Sequence, residues 1–221
     1  MILEQVFPES GTKVPFDSEH LTALYPKVDG LRFNFVVANG NTLDTASDQS
    51  TNKLDRELLK FIRTQSDLII TTGKTARAEN LAASNFAPML ILTTSTEDLD
   101  IAAVQANEGK PVYITQRLGT QYPSEKAIAI GGVQDKLPEF VDSFCRANNF
   151  RNPVLESGVE TAKIFATAGK INEVDLTLTN FSSSIHAEAS AKDFLEKIGF
   201  EAQILQILRS EDTWFFRFGA V

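Results

Sequence analysis

The sequence predicts an α/β fold, in which a mixed, mostly parallel sheet is flanked by helices and closes with a C-terminal antiparallel hairpin. Two observations lead to this prediction. Short apolar segments alternate with segments of helical periodicity along most of the chain, a pattern typical of parallel βαβ units. The last two apolar segments, on either side of "SED", have no helix between them, so we expect them to pair antiparallel.

Composition narrows the functional classes. The chain has 221 residues, of which 43% are hydrophobic, and a net charge of −8. The charge disfavours nucleic acid as a partner, because phosphate backbones require clustered Lys and Arg. A small anionic ligand stays open, since only a local basic pocket is needed to hold it. The sequence contains neither a long apolar run nor a basic segment followed by one, so we expect a cytoplasmic protein that does not contact a membrane.

Few residues suggest direct side-chain chemistry. His20 and His186 are far apart in the sequence and lack metal-ligand spacing, so we predict no metal site. Cys145 lies in a helical pattern, and we interpret it as a packed thiol rather than a nucleophile. The sequence identifies no catalytic residue. This absence fits hydride transfer, where a nicotinamide carries the chemistry and the protein binds and orients.

The elements are predicted in chain order. Residues 1–30 are expected to form an irregular N-terminal arm with one short helix over "SEHLTALY", and 31–221 a single domain. Apolar or alternating segments predict strands at 31–38, 67–73, 88–94, 111–115, 126–132, 153–156 and 171–180, and in the hairpin at 200–219. Helical periodicity predicts helices at 52–66, 97–109, 136–149 and 159–169. Ligands of open sheets bind beyond the carboxyl ends of the strands, which gives candidate segments at 38–44, 72–77, 93–98, 115–119, 131–135 and 156–161.

The stretch "TTGKTAR" is the first candidate for phosphate binding. Gly73 follows a predicted strand and would let the backbone approach a ligand closely. Thr75 offers a hydroxyl, while Lys74 and Arg77 add positive charge. The stretch is equally compatible with an ordinary turn that has a threonine cap, and it matches neither a Walker A loop nor GxGxxG.

The stretch "ESGVE" has two interpretations. Ser157 and Glu160 have the spacing of a capping box, in which both side chains satisfy backbone N–H groups of a helix start. Alternatively, the N–H groups of 157–160 could face a pyrophosphate. The spacing alone favours the capping box.

The stretch "NFVVANGN" is the candidate for substrate contact. Asn34, Asn39 and Asn41 carry amide donors and acceptors without an acid–base group. The same residues are also typical of a turn at Asn-Gly. The polar loop that follows, "TLDTASDQST", could close over a substrate or could be an ordinary solvated loop.

Five stretches together resemble the riboflavin-biosynthesis reductase family, the reductase half of a bifunctional deaminase–reductase. They are "LTALYPKVDGLRFNFVVANGNTLD", "KLDRELLKFIRTQSDLIITTGKTARAE", "APMLILTTSTEDLD", "NPVLESGVETAKIFATAGKINEVDLTLT" and "LRSEDTWFFRF", which cover roughly residues 20–218. Their order and spacing carry the resemblance. It implies a dihydrofolate-reductase-like fold in its stand-alone form, because no stretch resembles the deaminase half.

The resemblance also implies an activity. NADPH would reduce the ribosyl group of a diaminopyrimidine ribosylamine phosphate to the ribityl form, in a homodimer. Cofactor-binding residues implied by position are Gly73, Thr75, Arg77, Thr93, Ser95, Glu156, Ser157 and Gly158. Substrate-binding residues implied in the same way are Asn34, Asn39 and Gly40.

Departures from the family pattern leave two alternatives open. Asn39 stands where the family has aspartate, and Ser157 stands for the first glycine of its glycine-rich turn. The segment 181–190 is polar where the family has an apolar, glycine-rich loop. The chain could therefore reduce another heterocycle, such as a pterin, or bind a dinucleotide without catalysis.

Overall fold

A computed structural model describes residues 2–38, 41–42, 53–95, 97–115, 126–130 and 136–221, with the backbone alone at 38, 41–42 and 98. The predicted fold class is confirmed: a mixed sheet carries helices on both faces and ends in an antiparallel hairpin. In the part of the chain so described, no helix combines the length and the apolar character that crossing a membrane requires.

The described strands form one sheet of twelve. They are β1 Ile2–Phe7, β2 Thr12–Pro15, β3 Arg32–Ala38, β4 Asn41–Thr42, β5 Leu68–Thr72, β6 Met89–Leu92, β7 Val112–Thr115, β8 Ala127–Ile130, β9 Pro153–Glu156, β10 Glu173–Thr179, β11 Ala202–Ser210 and β12 Thr213–Ala220. The order is β2-β1-β11-β12-β10-β3-β9-β5-β6-β7-β8, with β4 paired to β3. Strands β10 to β8 of this order are mutually parallel, and the remaining pairs are antiparallel.

The helices alternate with the strands, and most of them connect parallel strands. They are α1 Ser18–Leu24, α2 Lys53–Gln65, α3 Gly73–Ala78, α4 Ala102–Gln105, α5 Leu137–Ala147, α6 Val159–Thr167 and α7 Ser184–Ile198. The helix predicted at 97–109 is wrong in extent, because a 3₁₀ turn at Glu97–Asp100 and the short α4 occupy its first part and the helix stops at Gln105.

Helix α7 is absent from the sequence prediction. Ser183 caps its start by accepting the His186 N–H, and Gly199 ends it in the left-handed region. Its buried face contains two alanines, Ala187 and Ala191. Such small residues give little hydrophobic periodicity, which explains why the pattern did not reveal the helix.

The prediction of an irregular arm at residues 1–30 is wrong in its local structure. Strands β1 and β2 pair with each other, and β1 also pairs with β11, so this segment extends the main sheet. Leu3 is the only side chain of β1 that is fully buried, so the segment lacks the alternation that marks a strand in sequence. The division of the chain at residue 31 stays a prediction.

Each face of the sheet has its own hydrophobic core. One face packs against α5, α6 and α7, with Phe33, Phe165 and Trp214 among its buried side chains. The other packs against α1 and α2, with Leu58 and Phe215 among them. Successive residues of a strand point to opposite faces, so central strands such as β3, β5 and β12 are buried on both faces.

The second face also contains a buried row of polar side chains. Alternate residues of β10 point there, namely Glu173, Asp175, Thr177 and Thr179, each no more than 5% exposed. Arg32 of β3 donates its Nε–H to Glu173 at 3.0 Å, and Arg217 of β12 donates from Nη2 to the same carboxylate at 2.7 Å. Burial raises the pKa of Asp175, and the Arg32 charge opposes that rise.

A glycine substitution tests the packing at the start of β3. Gly30 has φ +135°, and a Cβ built there would lie 2.2 Å from Asn172 Oδ1. That oxygen accepts the Leu31 N–H at 2.9 Å, so Asn172 loses a hydrogen bond if it moves. Gly11 is the matched control, because its φ is +87° but a Cβ there meets nothing within 4 Å.

We expect Gly11→Ala to lower the free energy of unfolding by about 1–2 kcal/mol, the cost of a left-handed backbone. Gly30→Ala should lower it by about 2 kcal/mol more, because overpacking adds to that strain. Urea denaturation of both variants measures the difference, and equal values would contradict the contact between Gly30 and Asn172.

Candidate functional site

The candidate site lies at the carboxyl edge of the parallel strands. Strands β10, β3, β9, β5 and β6 are neighbours and run in the same direction, so the segments that follow them meet at one edge. Cofactor residues predicted after β9, β5 and β6 therefore come together there. They are Gly73, Thr75, Arg77, Thr93, Ser95, Glu156, Ser157 and Gly158. Their role toward a cofactor stays a prediction.

The turn between β9 and α6 has no side-chain cap. The N-cap of α6 is Gly158, and no side chain bonds to the first N–H groups. The capping-box interpretation is wrong, because the Ser157 hydroxyl donates instead to the Gly158 carbonyl at 3.4 Å. A Cβ at Gly158 would meet nothing within 4 Å. This turn therefore leaves open space and free N–H donors, which suits a phosphate group.

Glu156, which directly precedes that turn, is paired with an arginine. Arg63 of α2 donates from Nε and Nη2 to the two Glu156 oxygens, at 2.9 Å and 2.5 Å. The Glu156 charge raises the pKa of Arg63. Because the carboxylate is neutralised by a bidentate partner, it repels an anion at the turn less than a free glutamate would. Arg63 could not be found from sequence patterns, because its partner is 93 residues away.

The turn between β5 and α3 contains a threonine cap. Thr72 accepts the Thr75 N–H at 3.2 Å, and the two hydroxyl oxygens lie 3.0 Å apart. This agrees with the interpretation of "TTGKTAR" as a capped turn, with Thr72 as the cap. Gly73 is buried, whereas Lys74 and Arg77 are exposed.

Hydroxyl groups shape the loop after β6. Thr93 accepts the Ser95 N–H at 3.0 Å, and Ser95 accepts the Glu97 N–H at 3.1 Å. From β7, Thr115 accepts the Thr93 N–H at 2.7 Å and donates to the Thr93 carbonyl at 2.9 Å. These bonds give the loop a defined course along the edge.

Of the predicted substrate residues, the structure describes Asn34 but not Asn39 or Gly40. Asn34 lies inside β3 with 8% exposure, in register with Asp175 of β10. The pairing of Val37 with Thr42 and of Ala38 with Asn41 is antiparallel, which agrees with the turn interpretation of "NFVVANGN". Asn39, Gly40 and the loop 43–51 lie outside the described residues.

A second residue of the site, Asp55, also escaped the sequence prediction. Asp55, in the first turn of α2, is 3% exposed. Burial raises its pKa to about 6, and a hydrogen bond with the Thr177 side chain and the Arg56 charge partly oppose the rise. The signal was present in the sequence, because Asp55 is in phase with Leu58 and Ile62 on the apolar stripe of this helix, where an acid is unexpected.

Two buried hydroxyls lie near the same edge. Thr179 Oγ1, at the last residue of β10, and Thr71 Oγ1, beside Glu156 in the β5–β9 register, have no hydrogen-bond partner among the described residues. An unpaired buried hydroxyl is costly. Each is therefore a place where a polar group of a ligand could be accommodated.

The arrangement supports proton donation. A buried carboxyl with a pKa of about 6 stays partly protonated near neutral pH and can serve as an acid. In the described part of the chain, no three His, Cys, Asp or Glu side chains are grouped as metal ligands would be.

Sequence comparison finds no relative: no protein-family model matches the chain, and no curated protein matches it. Solved structures do match. A pyrimidine reductase-like protein from Corynebacterium diphtheriae superposes with a TM-score of 0.62 at 12% identity, covering 91% of this chain and 94% of that chain.

Two further structures have the same fold. RibD from Acinetobacter baumannii has a TM-score of 0.64 at 13% identity, with coverage of 91% of this chain and 61% of its own. The riboflavin biosynthesis reductase Rib7 from Saccharomyces cerevisiae has a TM-score of 0.59 at 12% identity, with coverage of 88% and 90%. The resemblance seen in the sequence is thereby confirmed at the level of the fold: the chain has the fold of the riboflavin-biosynthesis reductases.

Proposed function

We propose that this chain is an NADPH-dependent reductase of the riboflavin-biosynthesis type. It would convert the ribosyl group of a diaminopyrimidine ribosylamine phosphate to the ribityl form. The observation that carries the proposal is the buried Asp55, bonded to Thr177 near the carboxyl end of β10, at the same edge of the sheet as the open turn at Gly158. A reductase needs both a proton donor and a cofactor turn.

The cofactor residues follow from the edge geometry. The uncapped start of α6 at Gly158 would hold the pyrophosphate or lie at the nicotinamide, with Glu156 and Ser157. Dinucleotide contacts would come from Gly73, Thr75 and Arg77, and adenosine contacts from Thr93 and Ser95. Reduced NADP would supply a hydride from C4 of its nicotinamide.

The substrate would bind on the Asp55 side of the edge. Hydride addition at C1 of the opened ribose, as an imine, moves the C=N electron pair onto nitrogen. The Asp55 carboxyl would give that nitrogen its proton and become a carboxylate, which the Thr177 hydrogen bond stabilises. Asn34, Asn39 and Gly40 would face the substrate. We also expect a cytoplasmic homodimer.

Asp55 also favours a second candidate. A buried carboxylate can accept two N–H bonds from the amidine edge of a 2-amino heterocycle, so another heterocycle such as a pterin could be the substrate. A third possibility, from the changes at Asn39 and Ser157, is dinucleotide binding without catalysis.

Two measurements separate these functions. Titration of NADPH, followed by its fluorescence, should show saturable binding if the chain uses the cofactor; no binding at about 1 mM would reject both reductase proposals. Complementation of a strain that lacks only the riboflavin reductase step then tests the substrate. Growth without riboflavin supports the first proposal, whereas cofactor binding without growth leaves the second or third.

Asp55→Asn should abolish most of the activity. The amide keeps the shape and can accept from Thr177 but donates no acidic proton, so we expect kcat/KM for NADPH oxidation to fall by about 100-fold or more. Thr177→Val is the companion variant. It removes a bond that lowers the Asp55 pKa, so the upper limit of the kcat/KM–pH profile should move to higher pH.

Asp55→Asn should also be more stable than the wild type above neutral pH. The folded pKa of Asp55 is about 6 against an ordinary 3.8, so the folded wild type binds more protons between these values and loses stability as pH rises through them. Asp55→Asn does not lose stability in this way. The difference in free energy of unfolding between the variant and the wild type should therefore favour the variant by about 2–3 kcal/mol more at pH 8 than at pH 4. Urea denaturation at both pH values measures this, and a pH-independent difference would contradict the buried acid.

Arg63→Met tests the contribution of the ion pair between Arg63 and Glu156. It leaves a largely buried carboxylate unpaired beside the turn, so we expect a loss of about 1–3 kcal/mol in the free energy of unfolding. NADPH affinity should fall about tenfold, because an uncompensated negative charge then faces the cofactor.

The control is Lys60→Met, which removes an exposed cation from the same helix and should change neither quantity. Arg63→Met combined with Glu156→Gln should recover most of both losses. If the double variant binds NADPH as weakly as Arg63→Met, charge at Glu156 is not the cause.

A further inference from the structure

A cavity lies at the amino edge of the sheet, opposite the candidate functional site. It is bounded by α5, the end of α6 and the residues that lead into β3 and β9, and its volume is about 510 Å³. This volume is within the range of small-molecule sites. Because β3 and β9 begin here and end at the candidate reductase site, the two sites are at opposite ends of the same strands.

The floor of this amino-edge cavity is apolar. Leu31, Val141 and Phe165 line it, each no more than 6% exposed. Phe150 adds an aromatic ring, and Cys145, 8% exposed, adds its thiol. A flat apolar body could therefore cover side chains that are already held in the core.

Charged side chains of both signs lie at the rim. Asp142 accepts from Arg146 Nε at 3.0 Å and Nη2 at 2.5 Å, and from Lys170 Nζ at 2.8 Å. One carboxylate thus faces two cations, and Lys170 followed by Arg146 lowers the pKa of Asp142. Arg151 also lines the rim, and Asp67 accepts the Arg151 N–H at 2.6 Å. Positive charge is therefore concentrated at one point of the rim, beside Asp142.

We propose that the amino-edge cavity binds a small amphipathic anion. Its planar apolar body lies against Val141, Phe150 and Phe165, and its single carboxylate or phosphate lies beside Lys170 and Arg146. Two cations beside one carboxylate suit a single anionic group, while Asp142 and Asp29, which also lines the cavity, disfavour a polyanion. This site is independent of the proposed reductase function, because it shares no residue with the carboxyl edge.

Calorimetric titration of the full chain with phenyl phosphate tests the proposal. Benzoate, titrated in parallel, distinguishes a carboxylate from a phosphate preference, and neutral benzyl alcohol is the control that should bind much more weakly. Saturable binding of at least one anion is expected. Absence of binding by both anions at about 10 mM, or equal binding of benzyl alcohol, overturns the proposal.

Two variants should change affinity in opposite directions. Lys170→Gln removes one cation, so the dissociation constant of the anion should rise about three- to fivefold. Asp142→Asn removes the carboxylate that pairs with both cations, so the dissociation constant of the anion should fall by a similar factor. Exposed charges on the same helices give the matched controls, Lys163→Gln and Glu139→Gln, which should leave affinity unchanged. Variants that match their controls overturn the assignment to this cavity.

Cys145 provides a local readout without any substitution. It is the one cysteine of the 221-residue chain, and burial raises its pKa to about 12, so alkylation by iodoacetamide should be slow. An occupied cavity covers the thiol, and saturating phenyl phosphate or benzoate should slow alkylation severalfold. Binding that leaves the alkylation rate unchanged lies elsewhere on the protein and contradicts the proposal.

Discussion

The buried ion cluster of Arg32, Glu173 and Arg217 is the constraint on which the centre of the molecule depends. The Glu173 carboxylate receives hydrogen bonds from both guanidinium groups, and these come from the strands on either side of β10. Both arginines also donate to backbone carbonyls near the end of α1, at Pro26 and Leu24. Buried charges require partners, so three strands and the α1 connection are fixed relative to each other.

The cluster fixes the position of everything else along β10. Charged groups occupy the first half of its polar row, and hydroxyls occupy the half that leads to the carboxyl edge. Thr177 therefore meets Asp55 where α2 begins. Raised pKa values at Asp55 and Asp175 are the thermodynamic sign of that arrangement.

Local patterns predicted most of the parallel strands and the closing hairpin, because their buried residues are large and apolar. They failed where tertiary contacts decide the outcome. The side chains of β1 are mostly exposed, α7 buries small alanines, and the Ser157 hydroxyl turns toward a carbonyl instead of a helix N–H. Arg63 and Asp55 act on partners distant in sequence, and the amino-edge cavity combines residues of several segments. Spacing within one segment contains no information about such pairs.

The pairing of β1 with β11 has a consequence for the time course of folding. Glu4 lies opposite Arg209, so nearly the whole chain must be synthesised before β1 can enter the sheet. The central β10 also follows β3, β5 and β9 in the chain, and the closing hairpin joins the parallel strands only through the pairing of β12 with β10. Contacts this distant in sequence form slowly. Until β10 is synthesised, the edge of β3 that it later covers has no partner strand, and unpaired strand edges of this kind favour aggregation.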